Sequence, residues 1–110
     1  GVDLWGVTVQ NEPLTQTGLW QSLFQSPQLQ AQFVAKHLGP TLHTDHPGIK
    51  IMIHDDQTSY LDTFAKVVLE ELKEMGAEKY VDGVAYHWYT SLEGSYEDDK
   101  PIAPFKAFDA

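Results

Sequence analysis

The sequence has no cysteine and no arginine, and its seven basic side chains, all lysine, face sixteen acidic ones. Without cysteine there is no disulfide framework, no thiolate nucleophile and no zinc–thiolate site, and the redox compartment stays open. The formal charge of -9 and the missing guanidinium groups argue against nucleic acid, whose phosphates are held by Lys and Arg. Titrating the histidines would roughly halve that charge, so an acidic compartment lowers self-repulsion without being required. No apolar run approaches the ~20 residues that span a bilayer, and no charged leader with an apolar stretch opens the chain. No glycine-rich phosphate loop follows a strand-like segment, which leaves a dinucleotide fold little support.

What is present is the composition of a folded domain, 42% hydrophobic and 12% aromatic, in 110 residues. That length allows one small domain at most. The opening Gly1-Val2-Asp3-Leu4-Trp5 reads as the middle of a strand, and Phe105-Lys106-Ala107-Phe108 as the first turn of a helix. We therefore expect an internal piece of a longer protein, with residues 1–110 all in one domain.

Structure alternates along the chain. Leu4-Trp5-Gly6-Val7-Thr8-Val9 is a short apolar strand with Trp5 in the core. It ends at Gln10-Asn11-Glu12-Pro13, because Pro13 cannot continue a ladder and biases Glu12 away from helix. Ser26-Pro27 then starts a helix, Leu29, Phe33, Val34 and Leu38 recur at helical spacing, and Gly39-Pro40 stops it. The second strand is Ile49 to Ile53, ending at His54-Asp55-Asp56-Gln57. A second helix runs from about Tyr60 to Met75 on an apolar face of Leu61, Phe64, Ala65, Val68, Leu69 and Leu72, and Gly76 ends it. The third strand, Tyr80 to Tyr86, ends at His87-Trp88-Tyr89, and an acidic, loop-like stretch follows. Strands alternating with helices predict parallel strands joined by crossovers, an α/β class. All three strands end in polar and aromatic residues, as in a (β/α)8 barrel, whose chemistry sits at the carboxyl ends of its strands. Three strands form only an incomplete TIM barrel.

Glu12 is the leading catalytic candidate. Glycoside cleavage needs a carboxylic acid to protonate the leaving oxygen and a second carboxylate across the sugar. Partial desolvation and a neighbouring carboxylate help such an acid keep its proton. Asn11 adds an amide able to hydrogen-bond a sugar hydroxyl. On the tripeptide alone, a simple turn is an equally good reading. Asp55 and Asp56 would hold a sugar hydroxyl, orient His87 or cap the following helix. Gln57 is a polar contact at the entrance. His87 and Tyr89 would stack on a sugar or bond a carboxylate, or join an aromatic cluster with Trp88. His43, Asp45 and His46 fall in a turn at the opposite end of the barrel and read as a solvated loop rather than a metal site.

The segments Trp5-Gly6-Val7-Thr8-Val9-Gln10-Asn11-Glu12-Pro13, His37-Leu38-Gly39-Pro40-Thr41-Leu42, Asp55-Asp56-Gln57 and His87-Trp88-Tyr89 occur in that order. Together with Phe64-Ala65-Lys66-Val67-Val68-Leu69 and Lys79-Tyr80-Val81-Asp82-Gly83-Val84-Ala85, they resemble glycoside hydrolase family 30, and within it the animal glucosylceramidases. The resemblance runs from about Trp5 to Tyr89. It implies the fourth to sixth strands of a (β/α)8 barrel, Glu12 as the general acid/base and Asn11 on the sugar 2-hydroxyl. It further implies a nucleophilic Glu on a seventh strand, to which no residue here corresponds, so the 110-residue piece alone is expected to be inactive. The loop Leu14 to Gln25 is shorter than in the animal enzymes, which bears on substrate contacts from Trp20 and Phe24. By the same resemblance the substrate is a glycolipid, glucosylceramide, with no metal or organic cofactor. A saposin-type activator protein and a membrane surface are the implied partners, in a lysosomal or secreted setting. A non-catalytic carbohydrate-binding or scaffold module on the same barrel, or another β-glycosidase specificity, are the alternatives.

Overall fold

The computed structural model describes residues 1–15 and 21–87. Within them β1 (Gly6–Thr8), β2 (Lys50–Gln57) and β3 (Gly83–His87) form one parallel sheet in the order β1-β2-β3. Helices α1 (Pro27–Phe33) and α2 (Gly39–Asp45) connect β1 to β2, and α3 (Lys66–Glu74) connects β2 to β3. The core lies between sheet and helices, where Ile53 of β2 joins Ala31, Val34, Leu61, Phe64, Val68 and Leu72 in one buried cluster. Each fully buried large side chain of this set stabilises the fold by about 1.5–3 kcal/mol.

The helix ends follow local chemistry. The Ser26 hydroxyl accepts the Leu29 N–H at 3.1 Å and Pro27 fills the first turn, where a missing N–H costs nothing. At the far end of α3, Gly76 takes a φ of 62°. Its N–H donates to the Lys73 carbonyl at 3.0 Å, and the Ala77 N–H donates to Leu72 at 2.8 Å. That pair of bonds closes the helix in a left-handed cap that suits glycine. A π-helical turn, Leu61–Ala65, precedes α3. Leu61, Phe64, Ala65, Val68 and Leu72 are buried as their spacing predicts, with Leu69 at the margin of the cluster.

Gly39-Pro40 does not stop the first helix. The chain passes through a π-helical turn, Val34–Leu38, straight into α2. The Gly39 N–H donates to the Val34 carbonyl, five residues back, and Pro40 sits in the first turn of α2 without an N–H to satisfy. The wider turn gives room to a proline ring that would collide with the preceding carbonyls of a regular helix. Glycine is required here by contact rather than by φ: a Cβ on Gly39 would lie 2.5 Å from Tyr80 Cγ. His43 and Asp45 accordingly belong to α2 rather than to a turn, and His43 meets the Tyr80 ring edge-on at 5.8 Å.

Trp5, expected in the core, is exposed, and so are Leu29 and Phe33 of the helically spaced set. Trp5 is 72% exposed, because the buried cluster reaches Val9 on its strand but does not extend back to its start. Leu29 and Phe33 face outward from the first helix, while Gln30 and Ala31 face inward. The reason is a polar task on the inner face. Gln30, fully buried, uses its Oε1 to accept the His54 N–H at 3.0 Å.

Candidate active site

The carboxyl ends of the three strands converge. Pairing between β1 and β2 continues past the end of β1, through Val9 N–H to Met52 at 3.1 Å and Glu12 N–H to Asp55 at 2.9 Å. Glu12 itself has a φ of 44°, a conformation uncommon for a residue with a side chain. Its carbonyl accepts the Ser22 hydroxyl at 2.8 Å and the Thr15 N–H at 2.9 Å, and Pro13 is buried behind it. Glu12 is thus fixed by backbone bonds on both sides and is only 5% exposed.

The second strand runs to Gln57 rather than ending at Ile53, and a bulge breaks its register with β3 between His54 and Asp56. His54 and Asp55 have φ values of 77° and 55°. In a regular strand, alternation would send His54 to the open face and Asp55 toward the helices. The bulge reverses this parity. His54 turns into the helix layer, where its ring lies 5.7 Å from that of Phe64, and Asp55 turns toward the other strand ends. Its Oδ2 accepts the Thr8 hydroxyl at 2.7 Å from β1, and its Oδ1 lies 3.2 Å from His87 Nε2 on β3.

His87 therefore joins two carboxylates. Its Nδ1 lies 2.9 Å from Glu12 Oε1, so a single imidazole spans the ends of all three strands. Gln57 Nε2 donates to the same Glu12 oxygen at 3.5 Å, and the Thr15 hydroxyl donates to Oε2 at 3.3 Å. Asp56, 2% exposed, accepts the Gln57 N–H at 2.7 Å and the Leu14 N–H at 3.3 Å. It ties the loop after Glu12 to the end of β2. A largely desolvated carboxyl bonded on both oxygens and open to an imidazole is equipped to give up and take back a proton.

Of the residues singled out by sequence, Glu12, Asp55, Gln57 and His87 are brought into one hydrogen-bonded group. Asn11 stands exposed beside it, its carbonyl accepting the Ser22 hydroxyl at 3.1 Å. Trp20, Trp88, Tyr89 and the acidic stretch after them lie outside the described residues. Thr8, Thr15 and Ser22 join the group without having been expected. Thr8 carried a faint signal as a hydroxyl near the end of an apolar strand, while Thr15 and Ser22 carried none. Among the described residues, no three His, Asp or Glu side chains are grouped to hold a metal ion.

His54 is the second imidazole of the region and is fully buried. Burial pushes it below its ordinary value, against the opposing pull of its bond to the Gln57 carbonyl and of Asp56 and Asp55. As a neutral ring it donates from Nε2 to that carbonyl at 3.0 Å. It thereby anchors the backbone of the residue that reaches Glu12.

Known proteins resemble this chain in sequence and in fold. Residues 1–102 match the glycosyl hydrolase family 30 TIM-barrel domain. The lysosomal acid glucosylceramidase of Mus musculus is 39% identical over 110 residues, which cover 97% of this chain and 19% of that protein. Among solved structures, an endo-beta1,6-glucanase superposes with a TM-score of 0.69 at 30% identity, covering 82% of this chain and 20% of its own. SrfJ from Salmonella typhimurium superposes with a TM-score of 0.65 at 27% identity, covering 80% and 19% respectively. The chain spans about a fifth of the length of the curated relatives it matches. A family match over nearly the whole chain, a parallel α/β arc like part of a TIM barrel and the likeness to these solved structures converge: the chain belongs to glycosyl hydrolase family 30.

Proposed function

We propose that this chain is the fourth-to-sixth-strand arc of the catalytic barrel of a retaining β-glucosidase that cleaves glucosylceramide to glucose and ceramide. The observation that carries the reading is the desolvated Glu12 carboxyl at the end of β1, bonded to His87 at the end of β3. In the first step Glu12 protonates the glycosidic oxygen while a carboxylate from a strand outside this chain attacks the anomeric carbon. In the second, Glu12 removes a proton from the water that releases the sugar. Asn11, Gln57, His87, Trp20 and Tyr89 are the proposed sugar-facing residues, with Trp20 resting on the family resemblance and Tyr89 on its place in the sequence just after His87. Asp55, whose two oxygens face Thr8 and His87, takes the alternative role of orienting His87. The identity to a lysosomal glucosylceramidase supports a glycolipid substrate and a lysosomal setting. A saposin-type activator and a membrane surface rest on the family resemblance.

In the full-length protein, Glu12→Gln should lower kcat/KM on glucosylceramide by roughly 10²–10⁴-fold, the usual worth of general acid catalysis. The same variant should leave kcat/KM on a dinitrophenyl glucoside nearly unchanged, since that leaving group departs without protonation. Equal losses on both substrates would refute the acid assignment. A second reading, cleavage of a β-linked glucan, draws on the endo-beta1,6-glucanase likeness. Turnover of β1,6-glucan with none of glucosylceramide would favour it.

A further inference from the structure

We propose that Asp55 is a positioning residue for the Glu12 proton, acting through His87. The inference rests on the acid/base role proposed for Glu12 and assigns what sets its proton. His87 Nδ1 lies 2.9 Å from Glu12 Oε1 and its Nε2 lies 3.2 Å from Asp55 Oδ1. An ionised carboxylate only accepts, whereas a ring nitrogen donates or accepts according to tautomer. Asp55 already accepts the Thr8 hydroxyl on Oδ2 at 2.7 Å, so its other oxygen calls for a hydrogen on Nε2.

With Nε2 protonated, the line from Nδ1 to Oε1 holds one proton, either as imidazolium facing carboxylate or as neutral imidazole facing carboxylic acid. The two forms carry the same total charge. Asp55 thus keeps a proton within reach of Glu12. During glycosylation that proton passes from Oε1 to the glycosidic oxygen as the glycosidic bond breaks and its electron pair moves to that oxygen. During deglycosylation an O–H bond of water breaks, its proton returns to Oε1, and the water oxygen bonds the anomeric carbon as the enzyme carboxylate leaves. The Nδ1 lone pair then opposing Oε1 favours this return.

Among the described residues, the ionisable groups placed around His87 are Glu12 after β1 and His54 and Asp55 at the end of β2, and of these Asp55 is the one that faces Nε2. Asp55→Asn preserves size and tolerates the positive φ, but its amide can donate to Nε2 as well as accept from it. The ring can then offer Nδ1–H to an ionised Glu12, which leaves no proton for the leaving group.

The test uses the full-length protein and two probes, an alkyl glucoside that needs protonation and a dinitrophenyl glucoside that does not. Asp55→Asn should lower kcat/KM on the alkyl probe by about 10- to 100-fold, within the range of general acid catalysis. The aryl probe should change by less than about threefold, since it bypasses the acid step. The alkaline limb of the alkyl profile should move to lower pH. Thr8→Val, which keeps the side-chain shape and removes the hydroxyl from Oδ2, should shift the same two readouts less far. Equal loss on both probes, or none on the alkyl probe, would overturn the proposal. If Asp55→Asn does not fold, the selectivity of Thr8→Val decides by the same criterion. Glu12→Gln run in parallel separates the failures: if it too is unselective, the acid assignment itself has failed.

Discussion

Gly39→Ala should destabilise the fold although it replaces a helical glycine with the best helix former. Intrinsic propensity favours alanine by about 0.8–1 kcal/mol. Against this, the new Cβ would stand 2.5 Å from Tyr80 Cγ, 2.6 Å from Tyr80 Cδ2 and 2.7 Å from the Val34 carbonyl oxygen. Ordinary contact needs roughly 1 Å more in each direction. The tyrosine ring could move, but the Val34 carbonyl accepts the Gly39 N–H and holds the π-helical turn. Because one of the contacts is to a carbonyl held in place, the overpacking cost should fall in the upper part of the usual range, about 2–3 kcal/mol, so the net loss should be about 1–2 kcal/mol after the propensity gain. Urea unfolding of the full-length protein measures it. A double-mutant cycle with Tyr80→Ala apportions it, since relief of the ring clash should make the double variant less damaged than the sum of the singles. Neutral or increased stability in Gly39→Ala would show that Tyr80 swings aside freely and that the turn is not closely packed.

Two further predictions concern the region beneath the site. His54 is held neutral by burial, with its folded-state value below the 6.5 of the unfolded chain. The unfolded state therefore binds more protons, and stability falls as pH drops below 6.5, levelling off below the folded value. The slope in that window is at most one proton, about 1.4 kcal/mol per pH unit. His54→Asn, which tolerates the positive φ, should flatten that slope in urea titrations run from pH 7.5 to 5; an unchanged slope would assign the acid sensitivity elsewhere. Phe64→Ala removes a ring that is 1% exposed and lies against His54. It should cost about 3–5 kcal/mol by denaturant unfolding, and a loss below about 1 kcal/mol would mean that Phe64 is not the centre of this core.

Local chemistry made much of this fold readable. Ser26-Pro27, the Leu61–Phe64–Val68–Leu72 stripe and Gly76 each announce a helix start, face or end through interactions within a few residues, and the structure follows them. Gly39-Pro40 misleads because a π-helical turn and contact with Tyr80, 41 positions later, decide what the dipeptide does. Leu29 and Phe33 mislead because the inner face of α1 carries Gln30, whose buried amide serves the bulged backbone at His54. The strand-end positions of Glu12, Asp55, Gln57 and His87 were legible, but their connections were not. The bulge that turns Asp55 toward Thr8 and His87 leaves no mark in a hydropathy pattern, since parity inverts over one residue.

The most direct test of the account is the product formed by Glu12→Ala of the full-length protein with a dinitrophenyl glucoside and sodium azide. Removing an acid/base carboxyl leaves space on the face from which water attacks the glycosyl-enzyme, and azide needs no base to attack there. With Glu12 as the acid/base, azide should restore turnover and the product should be the β-glucosyl azide, with retained configuration. An α-glucosyl azide would make Glu12 the nucleophile instead, and absence of rescue by azide would remove it from the catalytic pair.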